Sequence, residues 1–216
     1  GQMGIEKPRD LIFTLPHNVI DRTIVETVAD VAPSKIVTVE VEVGEHRPNQ
    51  IKGRPYRVYV TDATTTFQLV FFHARTDMLR QKLPIGQRRI VSGKLEMFDG
   101  LAQMVHPDYI VRPDQADAIP RFEPVYPLTA GISALLMSKA VRAALDRVTA
   151  LPEWINPSIK ELNEWPNWQE AVQQAHAPQS LADVSPQNKV RERLAYDELL
   201  AHQTTLAIAR ARRQKK

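Results

Sequence analysis

Apolar and polar residues alternate with a period of two through the first half of the chain. They recur at three- and four-residue spacing through the second half, so strands precede helices. In "KIVTVEVEV" (Lys35–Val43) the valines at 37, 39, 41 and 43 share one face. "YRVYVTD" (Tyr56–Asp62) turns Val58 and Val60 inward and Arg57 and Tyr59 outward, and "TFQLVFF" repeats the pattern with Phe67, Leu69 and Phe71 inward. "HARTDMLRQKLPIG" (His73–Gly86) switches to helical spacing through Met78, Leu79 and Leu83, and Pro84 and Gly86 stop it. "RRIVSGKLEMF" (Arg88–Phe98) is a fourth strand with Val91, Leu95 and Met97 on one face. Asp99–Gly100 is a hairpin turn, and "LAQMVHPDYIVR" is a fifth strand, ended or bulged at Pro107.

Three strands, a short helix and two strands is the order of an OB-fold, a five-stranded Greek-key β-barrel. An open SH3-like barrel is the nearest competitor, and the helix between strands three and four favours the OB-fold. The expected class is therefore α+β: a barrel over residues 35–112 followed by a helical region. Residues 1–34 form a lead-in with a short helix around Pro8–Leu15, and the proline-rich stretch 113–128 reads as a linker. Residues 129–216 are helical. Thr129–Val148 is amphipathic, a second run is broken at Pro157, Pro166 and Pro178, and a last helix of about thirty residues starts with Pro186 behind Ser185 as its N-cap.

Charge sharpens this division. Residues 35–112 carry 12 Lys/Arg against 8 Asp/Glu, residues 113–200 carry 8 against 12, and residues 201–216 carry 5 against none. A basic barrel and a basic end suit a polyanionic partner. There is no cysteine, which removes disulfides and thiolate metal sites and suits a reducing, cytoplasmic setting. No run of about 18 apolar residues occurs, so no membrane helix is expected. The opening Gly1–Gly4 reads as a cloning remnant and not as a signal peptide.

Catalytic signatures are missing. The one Gly-Lys pair, Gly93–Lys94, lies inside a strand and lacks the spacing of a phosphate loop. The six histidines are scattered, Ser133 sits in no nucleophile elbow, and Glu40 and Glu42 fall on the outer face of a strand. No catalytic residue, metal site or cofactor is expected in this chain, which reads as a binding or docking module.

Phe72 is the conspicuous exception to the strand pattern, a second large aromatic on the face that should meet water. Packed core is one reading. A base-stacking platform is the other, because OB-folds bind single strands on the outer face of strands two and three with aromatics and flanking cations. That face holds Arg57, Tyr59, Gln68 and Phe72. The loop Gly44–Pro55 adds Arg47, Lys52 and Arg54, Arg75 follows Phe72, and Lys94 and Phe98 lie on the outer side of the hairpin.

Several segments, in order along nearly the whole chain, resemble the RecG family of ATP-dependent branched-DNA helicases. They are "LIFTLPHNVIDRT", "YRVYVTDATTTFQLVFFH", "GKLEMFDGLAQMVHPDY", "PVYPLTAGISALLMSKAV" and "RERLAYDELLAHQ". The resemblance implies a wedge domain that sits at a stalled fork or Holliday junction and splits its arms, with an aromatic stacked on the branch-point base pair. By position that aromatic is Phe72. Some members carry a second aromatic four residues later, and here Thr76 stands there. The resemblance further implies that ATP and Mg belong to helicase motor domains elsewhere in a longer parent chain, and that recombination, repair and fork rescue are the setting. A free-standing single-stranded-DNA-binding OB protein is the alternative, and a protein-docking scaffold is a third reading.

Overall fold

The structure, a computed structural model, describes residues 7–49 and 54–214. In chain order its elements are β1 (Asn18–Asp21), β2 (Ile24–Val25), β3 (Ile36–Arg47), β4 (Tyr56–Thr61), β5 (Thr66–Phe71), α1 (Thr76–Lys82) and β6 (Arg88–Phe98). Then come β7 (Leu101–Val105), β8 (Tyr109–Val111), β9 (Phe122–Val125), α2 (Ala134–Leu145), α3 (Pro157–Leu162), α4 (Trp168–Ala175) and α5 (Lys189–Gln214). Two compact units result. One is Asp21–Arg121, and the other joins Gly1–Ile20 to Phe122–Lys216.

The first unit is a closed barrel. β3 runs antiparallel to both β4 and β6, β4 to β5, and β6 to β7, and the parallel pair β5–β7 completes the circuit. β3 can serve two neighbours because it is long and its register shifts between Val43 and His46, which bends the strand around the barrel corner. The alternating valines of β3 and β4 interlock with Phe67, Leu69, Phe71, Val91, Leu95 and Met104 in one buried cluster, joined by Leu79 of α1 and by Leu83, the C-cap of that helix. Gly93 is required here, since a Cβ would lie 2.9 Å from Met104 Sδ and 3.1 Å from Pro107 Cα. The expected α+β class, a five-stranded barrel plus helices, is the fold observed.

The interruption expected at Pro107 is present, and one detail, the exposure of Met97, differs from the pattern. The fifth strand divides into β7 and β8, because His106 adopts a left-handed backbone (φ +46°) and Pro107 offers no N–H to the ladder. β8 then pairs with the far part of β6, Val91 opposite Ile110. Met97, expected inward, is exposed. Pairing of β6 with β3 ends at Lys94, Leu95 still bonds the backbone of Ser34 and Lys35 just ahead of β3, and beyond it β6 pairs with β7 as a hairpin arm.

The barrel unit includes part of the lead-in. β2 pairs in parallel with β3. Arg22, nearly buried, donates to Ser92 Oγ at 2.8 Å and Asp108 Oδ2 at 3.0 Å, with its guanidinium 4.8 Å from the Tyr109 ring centroid. Asp62 organises the turn "TDATTT" by accepting from the Thr64 and Thr65 backbones and, through its other oxygen, from Val28 N.

In the second unit the expected short helix is present as a 3-10 helix, Pro8–Phe13, with Pro8 in its first turn, and β1 pairs with β9. α2 is shorter than the amphipathic pattern because Gly131 (φ +88°) and the N-cap Ser133 set its start. Pro157 opens α3 behind the cap Asn156, a first-turn position where a missing N–H costs nothing. α5 begins at Lys189. Asn188 Oδ1 accepts from Val190 N, so Asn188, and not Ser185, caps the helix, and Pro186 lies ahead of it.

Candidate nucleic-acid interface

The outer face of the barrel carries a polar row set by strand register: Tyr59 on β4 opposite Gln68 on β5, and Gln68 opposite Gln103 on β7. Around it a cleft of about 360 Å³ is lined by Arg47, Arg57, Tyr59, Gln68, Phe98 and Gln103 among others. Arg47 lies over Tyr59, its guanidinium carbon 4.6 Å from the ring centroid and Nη1 3.2 Å from the phenol oxygen. It also grips Glu45 Oε2 at 3.0 and 3.1 Å, and this bond to Glu45 raises its pKa above the usual value. The result is a cationic plane stacked on a ring, open to solvent, beside the amide side chains of half-buried Gln103 and buried Gln68.

Of the residues expected to contact DNA, Arg57, Tyr59 and Phe98 line this cleft. Lys94, exposed on β6, is ion-paired with Glu96 at 3.2 Å and lies outside the lining. Arg54 is exposed just ahead of β4, and Arg75 is exposed as the N-cap of α1. Lys52 falls outside the described residues. Phe98 is exposed on the hairpin arm.

Phe72 occupies a second position. β5 ends at Phe71, and His73 with φ +56° turns the chain away. Phe71 is buried at 7% exposure and Phe72 is 41% exposed. Phe72 shares its strand parity with Gln68, about 13 Å away along an extended strand. Its ring lies 5.9 Å from the His106 ring, and its backbone N–H donates to His106 Nε2 at 3.1 Å. His106 and Gln103 were not singled out in the sequence. Their position on the parallel β5–β7 pair brings them to this face, and a strand reading alone does not reveal that pairing. Among the described residues no cluster of His, Cys, Asp or Glu could hold a metal ion, and no helix is long and apolar enough to cross a membrane.

A family model described as the RecG wedge domain matches residues 1–148. The ATP-dependent DNA helicase RecG of Escherichia coli (strain K12) is 26% identical over 224 residues, covering 100% of this chain and 32% of that protein. RecG of Pasteurella multocida is 28% identical over 214 residues, covering 94% of this chain and 30% of that protein. The chain thus spans about a third of the length of these relatives. A solved structure of RecG bound to a three-way DNA junction superposes with a TM-score of 0.73 at 25% identity, covering 99% of this chain and 29% of that one.

Proposed function

The chain belongs to the RecG wedge domain family, and on that premise we propose that it binds branched DNA, stalled forks and Holliday junctions, and parts the strands where the arms meet. Phe72 stacks on the base pair at the branch point. An aromatic face accepts any base, so the contact needs no sequence preference and supplies about 1–3 kcal/mol. A separated single strand then passes toward Tyr59, Arg57, Gln68 and Phe98, with Arg54, Arg75, Lys94 and Lys52 available to its phosphates. Thr76, the first residue of α1, leaves the wedge with one stacking ring at this point.

The observation that carries this reading is the exposure of Phe72 next to a buried Phe71, at the tip of a strand whose outer face holds the cleft. We assign the DNA contacts to the barrel, residues 35–112, treat residues 113–128 as the connection, and give residues 129–216 to the path toward helicase motor domains of the same parent chain. ATP and Mg are held in those domains, and the work is fork rescue, recombination and repair in the cytoplasm. A free-standing single-strand binder is less favoured, because the likeness to RecG extends through both compact units.

Fluorescence anisotropy with a fork, a plain duplex and a single strand tests this. Tightest binding to the fork is expected. Equal or tighter binding to the single strand would support the alternative, and no binding to any of the three would support a docking scaffold.

A further inference from the structure

We propose that His106 is a positioning residue for Phe72, holding the stacking ring at the angle in which it meets a base pair. The inference rests on the branch-point reading of Phe72 and adds to it how the ring is aimed.

The argument starts from the β5–β7 ladder. Its last parallel rungs pair Leu69 with Met104 and Val70 with Val105, and His106 N donates to Val70 O at 2.9 Å. In a parallel ladder the next bond runs from Phe72 N to the carbonyl of His106. That bond is absent, because His106 sits at φ +46° and its backbone has turned away. The Phe72 N–H donates instead to the His106 imidazole, Nε2 at 3.1 Å. A side chain has replaced the backbone acceptor at the last rung before the chain turns. Nε2 must be unprotonated to accept, so the neutral ring carries its proton on Nδ1.

The same imidazole contacts both phenylalanines. It meets the Phe71 ring edge-on, centroids 6.0 Å apart at 87°, and lies tilted by 38° against Phe72 at 5.9 Å. His106 therefore links a fixed ring in the core to an exposed ring at the tip. A left-handed backbone on a non-glycine residue ahead of a proline is unfavourable by itself and persists where the surroundings impose it. Both His106 and Phe72 are exposed, so little burial is gained by this arrangement. What it provides is a restricted Phe72 backbone and ring, which lowers the ordering cost of stacking when DNA arrives.

The test compares wild type, His106→Asn, Phe72→Ala and the double variant in the full 216-residue chain. Asparagine tolerates the left-handed backbone but lacks the ring and the reach of Nε2. Amide exchange at Phe72, followed by NMR, is expected to quicken about 2- to 10-fold in His106→Asn. Fork affinity by anisotropy is expected to fall about 3- to 10-fold, a part of the value of one stacked base, with no further loss when the same change is made in Phe72→Ala. His106→Gln, which restores an acceptor without a ring, is expected to recover the Phe72 protection and part of the affinity. An equal loss in both backgrounds would mean that His106 acts independently of Phe72, and unchanged Phe72 exchange would mean that it anchors nothing. Either result overturns the proposal. Should Phe72→Ala leave fork affinity intact, the branch-point reading itself falls, and with it any role of His106 at the junction. The exchange measurement alone would still decide whether His106 holds the Phe72 amide.

Discussion

Phe71 and Phe72 are consecutive in sequence and opposite in surroundings. Phe71 packs with Tyr56, Leu69 and Met104 in the barrel core, and Phe72 stands in solvent beside His106. The strand's alternation dictates the first position. The second follows from the end of β5 at Phe71 and the left-handed turn at His73, which leave the next ring beyond the sheet.

In the helical unit, a buried ion-pair cluster centres on Arg193. Its side chain is fully buried and donates to Glu153 at 2.9 and 3.0 Å and to Asp197 at 3.0 Å, with the guanidinium 5.5 Å from the Trp154 ring centroid. Arg193→Ala removes the forked donor from Asp197 and Glu153, leaving Glu153 the more distant Lys160 Nζ at 3.8 Å, and we expect a loss of about 3–5 kcal/mol in urea unfolding. Arg193→Lys should also destabilise, since an ammonium cannot supply the forked donors. The Arg193 hydrogen bonds hold the Glu153 carboxyl below its usual 4.5. The pair's contribution is therefore complete above that pH and is lost as pH falls through the depressed folded value. A midpoint for Arg193→Ala equal to wild type would refute this.

A second pH effect resides at His176. Its Nε2 donates to Ile12 O at 2.9 Å, so Nδ1 accepts from Tyr126 Oη at 3.0 Å in the neutral ring. Burial lowers its pKa below 6.5, a hydrogen bond to Ile12 opposes that, and the Arg191 charge adds to the lowering. Burial likewise pushes the Tyr126 phenol up to about 12. With a depressed folded pKa the unfolded chain takes up the proton first. Stability is thus full above pH 6.5 and declines as pH drops from there toward the folded value. An NMR titration should find the His176 midpoint below 6.5, and a midpoint above it would contradict the buried neutral ring.

DNA binding should weaken with salt. If the wedge neutralises roughly two to five phosphates, log K against log salt has a slope of about −2 to −4. Arg57→Ala should reduce that slope by about 1 and weaken the fork and the single strand together whatever their sequence, because a phosphate contact carries no sequence information. A flat salt response would place the cleft away from DNA.

Much of this was legible in the sequence. The valines of β3 and β4 fix their faces by parity, the Asp99–Gly100 hairpin declares itself by turn chemistry, and the exposed second phenylalanine departs from the alternation at the place where β5 ends. What escaped depends on partners distant in sequence. Met97 follows the inward parity of Leu95 yet is exposed, because β3 stops pairing with β6 at Lys94. His106 reads as an ordinary residue before a proline, and only the parallel pairing of β5 with β7 brings it to Phe72. Ser185 and Pro186 form a sound helix start by local rules, but Asn188 takes the cap three residues later.

The central claim is that Phe72 is exposed for DNA and not for the fold, and paired measurements on Phe72→Ala and Phe71→Ala test it most directly. Thermal melts and fork anisotropy are recorded on both. Phe71→Ala should lose about 3–5 kcal/mol of stability as a buried aromatic truncation, with fork affinity of its folded fraction near wild type. Phe72→Ala should melt close to wild type and bind the fork about 5- to 150-fold more weakly, the value of one stacked base. A large drop in melting temperature for Phe72→Ala with unchanged fork affinity of the folded fraction would contradict the account and return Phe72 to the role of a packing residue.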